Sequence, residues 1–106
     1  MLMNPDQGAL TEPVYYILLS LQKPLHGYGI MQEIQRLTKG RLVVGPGTLY
    51  GALTTLSARG WIEGIRSPKD SRRKEYIITS VGKVILQKEL RRLKELVTHG
   101  EEILGG

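Results

Sequence analysis

A mainly α fold with one small β-hairpin is predicted by three features of this 106-residue sequence. Three apolar stripes at helical spacing lie before Gly60. A run of β-branched and aromatic residues then breaks that period on either side of a polar loop, and everything from Ser80 onward reads as one long amphipathic helix. The length suits one domain, and at this size a core closed by a partner subunit is a common way to gain buried area. Apolar residues make up 41% and charged residues 24%, which excludes the low-hydrophobicity composition of a disordered chain.

The first helix starts at Thr11, a capping residue, with Pro13 in the first turn where its missing N–H costs nothing. Val14, Ile17, Leu18 and Leu21 form its apolar stripe, and Lys23-Pro24 is expected to end it. A second helix begins near Gly27, carries Ile30, Ile34 and Leu37 on its inward face, and stops at Gly40, a residue suited to a left-handed C-terminal position. After Leu42-Val43-Val44, Pro46 opens a third helix with Leu49, Leu53 and Leu56 inward and Gly60 closing it. Residues 61–66 and 75–78 then read as two strands around a loop containing Pro68, Asp70 and Ser71, with Trp61 opening the first strand and packing on the helices.

Thr79 or Ser80 caps the last helix, in which Leu86, Leu90, Leu93, Val97, Gly100 and Leu104 alternate by four and three residues. Such a seam suits a partner helix. Leu96 and Ile103 widen it, while Lys88, Arg91, Arg92, Lys94 and Glu95 fall outside. The expected organisation is a winged helix-turn-helix domain over residues 1–79 and a C-terminal dimerisation helix over residues 80–106.

That element order places the third helix in a DNA major groove and the hairpin loop against the neighbouring backbone. The charge agrees. The chain carries a net +5, and residues 59–74 alone hold six basic and two acidic side chains, or +4. A flexible basic loop beside the groove gains affinity by releasing condensed counterions, so binding to double-stranded DNA should weaken as salt rises. On the third helix, Gly47, Gly51, Thr54 and Ala58 point away from the core, a small smooth face that lets the backbone sit deep in the groove. Thr48, Tyr50 and Thr55 at its margins are placed to reach phosphates, though Tyr50 suits the edge of the core equally well.

The strings HGYGI at 26–30, PGTLYGALTTLSARGWI at 46–62 and RRKEYIIT at 72–79, with Gly82 following, resemble the PadR family of transcriptional regulators in composition, order and spacing. Membership would imply a repressor that dimerises through its last helix, here of the short type, and that in some members releases DNA when a small-molecule effector binds. It would also imply DNA contacts from Tyr28 at the start of the second helix, from Thr48 and Tyr50, and from the wing residues Arg72, Arg73 and Lys74, to which the charge of the loop adds Lys69. Two departures from the pattern stand out: Thr54-Thr55 stands where basic residues are frequent, and Gly29 where an acidic one is. The tryptophan with which the multidrug-sensing branch stacks planar drugs is missing from the last helix. Tyr15 and Tyr16 are the candidates for an effector site, although aromatic residues on so apolar a helix are more often core or dimer contacts.

Other functions find little purchase. Gly45, Gly47 and Gly51 give G-x-G-x-x-x-G, one residue off the dinucleotide fingerprint, and too few βα units exist for an open sheet. With no cysteine and only His26 and His99 as imidazoles, no zinc site and no other cofactor are expected. His26 beside Gly27 reads as a turn residue. No catalytic triad motif or paired carboxylate appears, so no enzymatic activity is expected. The start, MLMNPDQGAL, lacks a charged segment followed by an apolar run, and no stretch approaches the ~18 apolar residues of a membrane span, so a cytoplasmic protein is expected. The rival class is a winged helix used as a protein-interaction module without DNA. RNA binding through the same hairpin is weaker because no aromatic platform for splayed bases is evident.

Overall fold

The computed structural model describes residues 8–70 and 72–105. Residues 1–7 of the N-terminal stretch and Ser71 of the hairpin loop lie outside them. Four helices and one hairpin follow in the order α1 (Glu12–Ser20), α2 (Gly27–Leu37), α3 (Pro46–Ala58), β1 (Ile62–Arg66), β2 (Lys74–Ile78) and α4 (Ser80–Leu104). None of these helices is long and apolar enough to cross a membrane.

The helix ends follow side-chain chemistry. Thr11 accepts the Val14 N–H at 3.4 Å to open α1, which ends at Ser20, three residues before the Lys23-Pro24 stop expected from the sequence. There the Leu21 N–H tightens onto Leu18 O, and the buried Ser20 hydroxyl donates to Ile17 O at 2.7 Å. His26 caps α2 through its ring, Nδ1 accepting the Gly29 N–H at 3.0 Å. Left-handed Lys39 and Gly40 finish the turn after α2, where the Gly40 N–H bonds Gln35 O. Leu37, expected on the inward stripe, is 42% exposed, because α2 at its last residue has run past the edge of the core.

Among the described residues, twelve apolar side chains from α1, α2, α3, the strands and the segments flanking them form one core, with Ile17, Leu18, Ile30, Ile34, Leu49 and Leu53 essentially sealed from solvent. The three inward leucines of α3 are all buried, which fixes the opposite face outward. Trp61 sits one residue before β1 rather than opening it, buried against the helices with the Arg59 guanidinium 5.2 Å above its ring. The antiparallel hairpin pairs Ile62 with Ile78, Gly64 with Tyr76 and Arg66 with Lys74. On the far edge of β2, Leu25 and Tyr76 exchange both backbone hydrogen bonds, and the Ile78 N–H donates to Leu21 O, so the α1–α2 turn anchors the wing.

The start of the long helix is held against this body at a crowded point. The Thr79 hydroxyl accepts from Gly82 N–H and donates to Gly60 O, while the Thr79 N–H donates to Trp61 O. A Cβ on Gly82 would overlap the Trp61 carbonyl oxygen and stand 2.7 Å from Ile78 Cγ1, so only glycine admits the approach. From there α4 runs unbroken through Gly100 to the left-handed Gly105.

Candidate nucleic-acid interface

On α3, Gly47, Thr48, Gly51, Thr54 and Ala58 are exposed, as the buried Leu49, Leu53 and Leu56 require. The Thr54 hydroxyl donates to Tyr50 O at 3.0 Å, which spends its proton on the helix and leaves the oxygen lone pairs and the methyl outward. Tyr50 is 49% exposed: one side of its ring lies on Gly27 and the rest faces a groove.

That groove, about 290 Å³, runs between the start of α2, α3 and the wing. Tyr28 and Tyr50 come to it from the helices and Arg73, Lys74 and Tyr76 from the wing, so four of the expected DNA-contacting residues meet in one place. Lys74 carries its ammonium over the Tyr76 ring at 5.5 Å. Burial, reinforced by the nearby Tyr50 hydroxyl, pushes the Tyr76 phenol above its ordinary value. Tyr76 therefore stays protonated and able to donate.

The wing tip is built by two polar residues whose roles no hydrophobic pattern could signal. Buried Ser67 accepts backbone N–H groups of Lys69 and Asp70 through its hydroxyl, and its own N–H donates to Arg73 O at 3.0 Å. Asp70 accepts both the N–H and the Nε–H of Arg72, at 3.0 and 3.3 Å, so Arg72 stands in solvent but tied to a carboxylate. Arg72 and Arg73 also line a second cleft of about 360 Å³ across β1. Lys69 is exposed at the tip.

The residues of the expected dimer seam and effector site lie elsewhere. Leu86 packs on the core of its own chain and Leu93 is half-buried, whereas Leu90, Leu96, Val97, Ile103 and Leu104 are exposed. Tyr15, Tyr16 and Leu93 line a cleft of about 300 Å³ between α1 and α4. The two tyrosine rings meet edge to face, and Arg41 is held protonated first by Glu12 and then by the Tyr16 hydroxyl. Glu89 forms the floor between this cleft and its neighbour, 5% exposed, accepting two hydrogen bonds from Arg92 at 2.8 and 2.7 Å and one from the Leu10 N–H. The Arg92 guanidinium holds its carboxyl below the usual carboxylate range against the opposing effect of burial. Sequence pattern placed Arg92 outside the apolar stripe and did not single out Glu89. The i,i+3 spacing of the pair was the available signal. Among the described residues no group of three His, Asp or Glu is gathered as a metal site would need.

A family model described as the transcriptional regulator PadR-like family matches residues 16–88. The chain is 34% identical over 73 residues to an uncharacterized 37.1 kDa protein in transposon TN4556 of Streptomyces fradiae, a match that covers 69% of this chain and 20% of that protein. Among solved structures it is similar to a PadR-like transcription factor from Bacteroides fragilis, with 30% identity, a TM-score of 0.66, and coverage of 86% of this chain and 87% of that one. It also matches the PcaV transcriptional regulator of Streptomyces coelicolor, solved in complex with its natural ligand, at a TM-score of 0.71 over 88% of this chain and 62% of that one. At 19% identity the PcaV likeness is one of fold.

Proposed function

The chain belongs to the PadR-like family of transcriptional regulators, and on that premise we propose that it is a dimeric, sequence-specific DNA-binding repressor. One observation carries the reading. Tyr50 of α3 and Tyr28 of α2 converge with Arg73 and Lys74 of the cationic wing on one groove. In this reading α3 lies in the major groove, with Gly47, Gly51 and Ala58 allowing close approach and Thr54 reading base edges. Lys69, Arg72, Arg73 and Lys74 neutralise phosphates, which supplies affinity without sequence preference.

Dimerisation through α4 is supported by the apolar side chains that this helix leaves uncovered, Leu90, Val97 and Leu104 along the seam with Leu96 and Ile103 beside it. Two-fold symmetry then sets two recognition helices about 34 Å apart on a near-palindromic operator. The cleft holding Tyr15, Tyr16 and Leu93 is the proposed effector site, since it adjoins the seam and a ligand there would bear on how the two α4 helices pack. The protein would work in the cytoplasm, alongside the DNA.

Mobility-shift titration against promoter-derived and random duplexes tests this directly. The reading expects binding to both, with a promoter fragment retained at the higher salt. A dimer that ignores every duplex would identify a protein-interaction module instead.

A further inference from the structure

We propose that Gly27 is a positioning residue of the DNA-facing groove: the side chain it lacks is the seat on which the Tyr50 ring lies, and that seat sets where the Tyr50 hydroxyl meets a backbone phosphate. The inference rests on the DNA-binding reading above and gives a role to a residue that need not touch DNA. A Cβ built on Gly27 would overlap the Tyr50 hydroxyl and stand 2.7 Å from its Cζ and 3.1 Å from Cε1. Any side chain at position 27 therefore evicts the ring. Gly27 is buried while Tyr50 is half-exposed: the contact is made at the hydroxyl end of the ring, and both residues line the groove.

Backbone needs do not explain the glycine. It is the first residue of α2 and is absent from the left-handed positions, which are held by Gly40, Gly60 and Gly105 among the glycines. Alanine is the better helix former there, so a purely structural view expects Gly27→Ala to be neutral or stabilising.

The second cleft, across β1, contains a comparison. A Cβ on Gly64 of β1 would overlap Lys74 Cε, 3.5 Å from its Cδ. Yet a lysine stem has several rotatable bonds and swings aside cheaply, keeping its ammonium in reach of a phosphate. The Tyr50 ring is rigid beyond two torsions and projects from a helix that restricts the first of them, so it leaves the groove as a unit. The two glycines thus predict opposite outcomes when filled.

The test uses the full chain carrying 3-fluorotyrosine, the Tyr50 resonance being assigned by its loss in Tyr50→Phe, together with anisotropy titrations on a fluorescent duplex recovered with the protein from its own genome. Gly27→Ala should keep its melting temperature, move the Tyr50 ¹⁹F resonance without DNA present, and weaken duplex binding by roughly tenfold per protomer and so roughly a hundredfold for a dimer, the worth of one charge-assisted hydrogen bond in each. Tyr50→Phe should weaken it similarly, and the double variant should be no weaker than either single one. Gly64→Ala should stay within about twofold of the unsubstituted chain. Additive losses, full affinity in Gly27→Ala, or an unmoved resonance would each overturn the proposal. So would a Gly27→Ala chain that fails to fold even when Tyr50→Ala vacates the ring. If the unsubstituted chain binds no duplex, the DNA-binding reading fails, and the resonance still decides whether Gly27 seats the ring.

Discussion

Removing Arg72 and Arg73 together should flatten the salt dependence of DNA binding. Each neutralised phosphate contributes about 0.9 to the slope of log K against log salt, so losing two cations takes away about 1.8 per protomer and about 3.6 per dimer. Between about 50 and about 200 mM salt, the unsubstituted protein should therefore lose roughly a hundredfold more affinity than the double variant. The structure divides this effect unevenly. Arg72 is already tied to Asp70, so part of its charge is compensated before DNA arrives, whereas Arg73 lines the groove shared with Tyr28 and Tyr50. Arg73→Ala alone should account for the larger share. Anisotropy titrations at four or five salt concentrations on promoter and random duplexes measure the slopes, and the loss should be the same on both. A slope unchanged in the double variant, or a loss confined to one sequence, would remove the wing from backbone binding.

Other consequences concern stability and assembly. Gly82→Ala drives a methyl into the Trp61 carbonyl and should cost about 1–3 kcal/mol in urea denaturation, the range for overpacking a tight contact. Because Arg92 and the Leu10 N–H hold the Glu89 carboxyl below its ordinary value, its contribution is full above the unfolded carboxylate value of about 4.3 and is lost as pH falls below it. Glu89→Gln should therefore cost about 1–2 kcal/mol near neutral pH, given the partly solvated arginine, and flatten the acid limb of the urea midpoint; an acid limb unchanged by the substitution would contradict this. Leu90→Asp changes an exposed position of the proposed seam and should leave a monomer in sedimentation, where the unsubstituted chain is expected to be a dimer, without lowering helix content; a variant that sediments as the unsubstituted dimer would place the interface elsewhere.

Much of this molecule is legible in its sequence because apolar periodicity and end chemistry agree. Leu49, Leu53 and Leu56 orient α3, Thr11 and Thr79 open α1 and α4, and Gly40 and Gly60 lie at left-handed turns. Pattern fails where one residue acts through a distant partner. Leu25 has no strand-like neighbours, yet its two hydrogen bonds to Tyr76 hold the wing against the helices. His26 reads as an ordinary turn residue until its ring is found capping α2. Leu37 has the right spacing but lies beyond the core. Of the groove, Tyr28, Tyr50, Arg73 and Lys74 are legible one by one, while their meeting is not, because it involves the contact of Tyr50 with Gly27 and the hydrogen bonds of the Ser67 and Asp70 turn, which leave no periodic trace.

In the proposed repressor, α3 and the wing form one surface for duplex DNA, doubled by α4. Analytical ultracentrifugation of the purified chain with a labelled duplex recovered from its own genome, in about 50 mM salt, measures binding and stoichiometry together. The account predicts a complex of two chains per duplex that dissociates as salt is raised. Duplex sedimenting free at micromolar protein in that dilute buffer would contradict it.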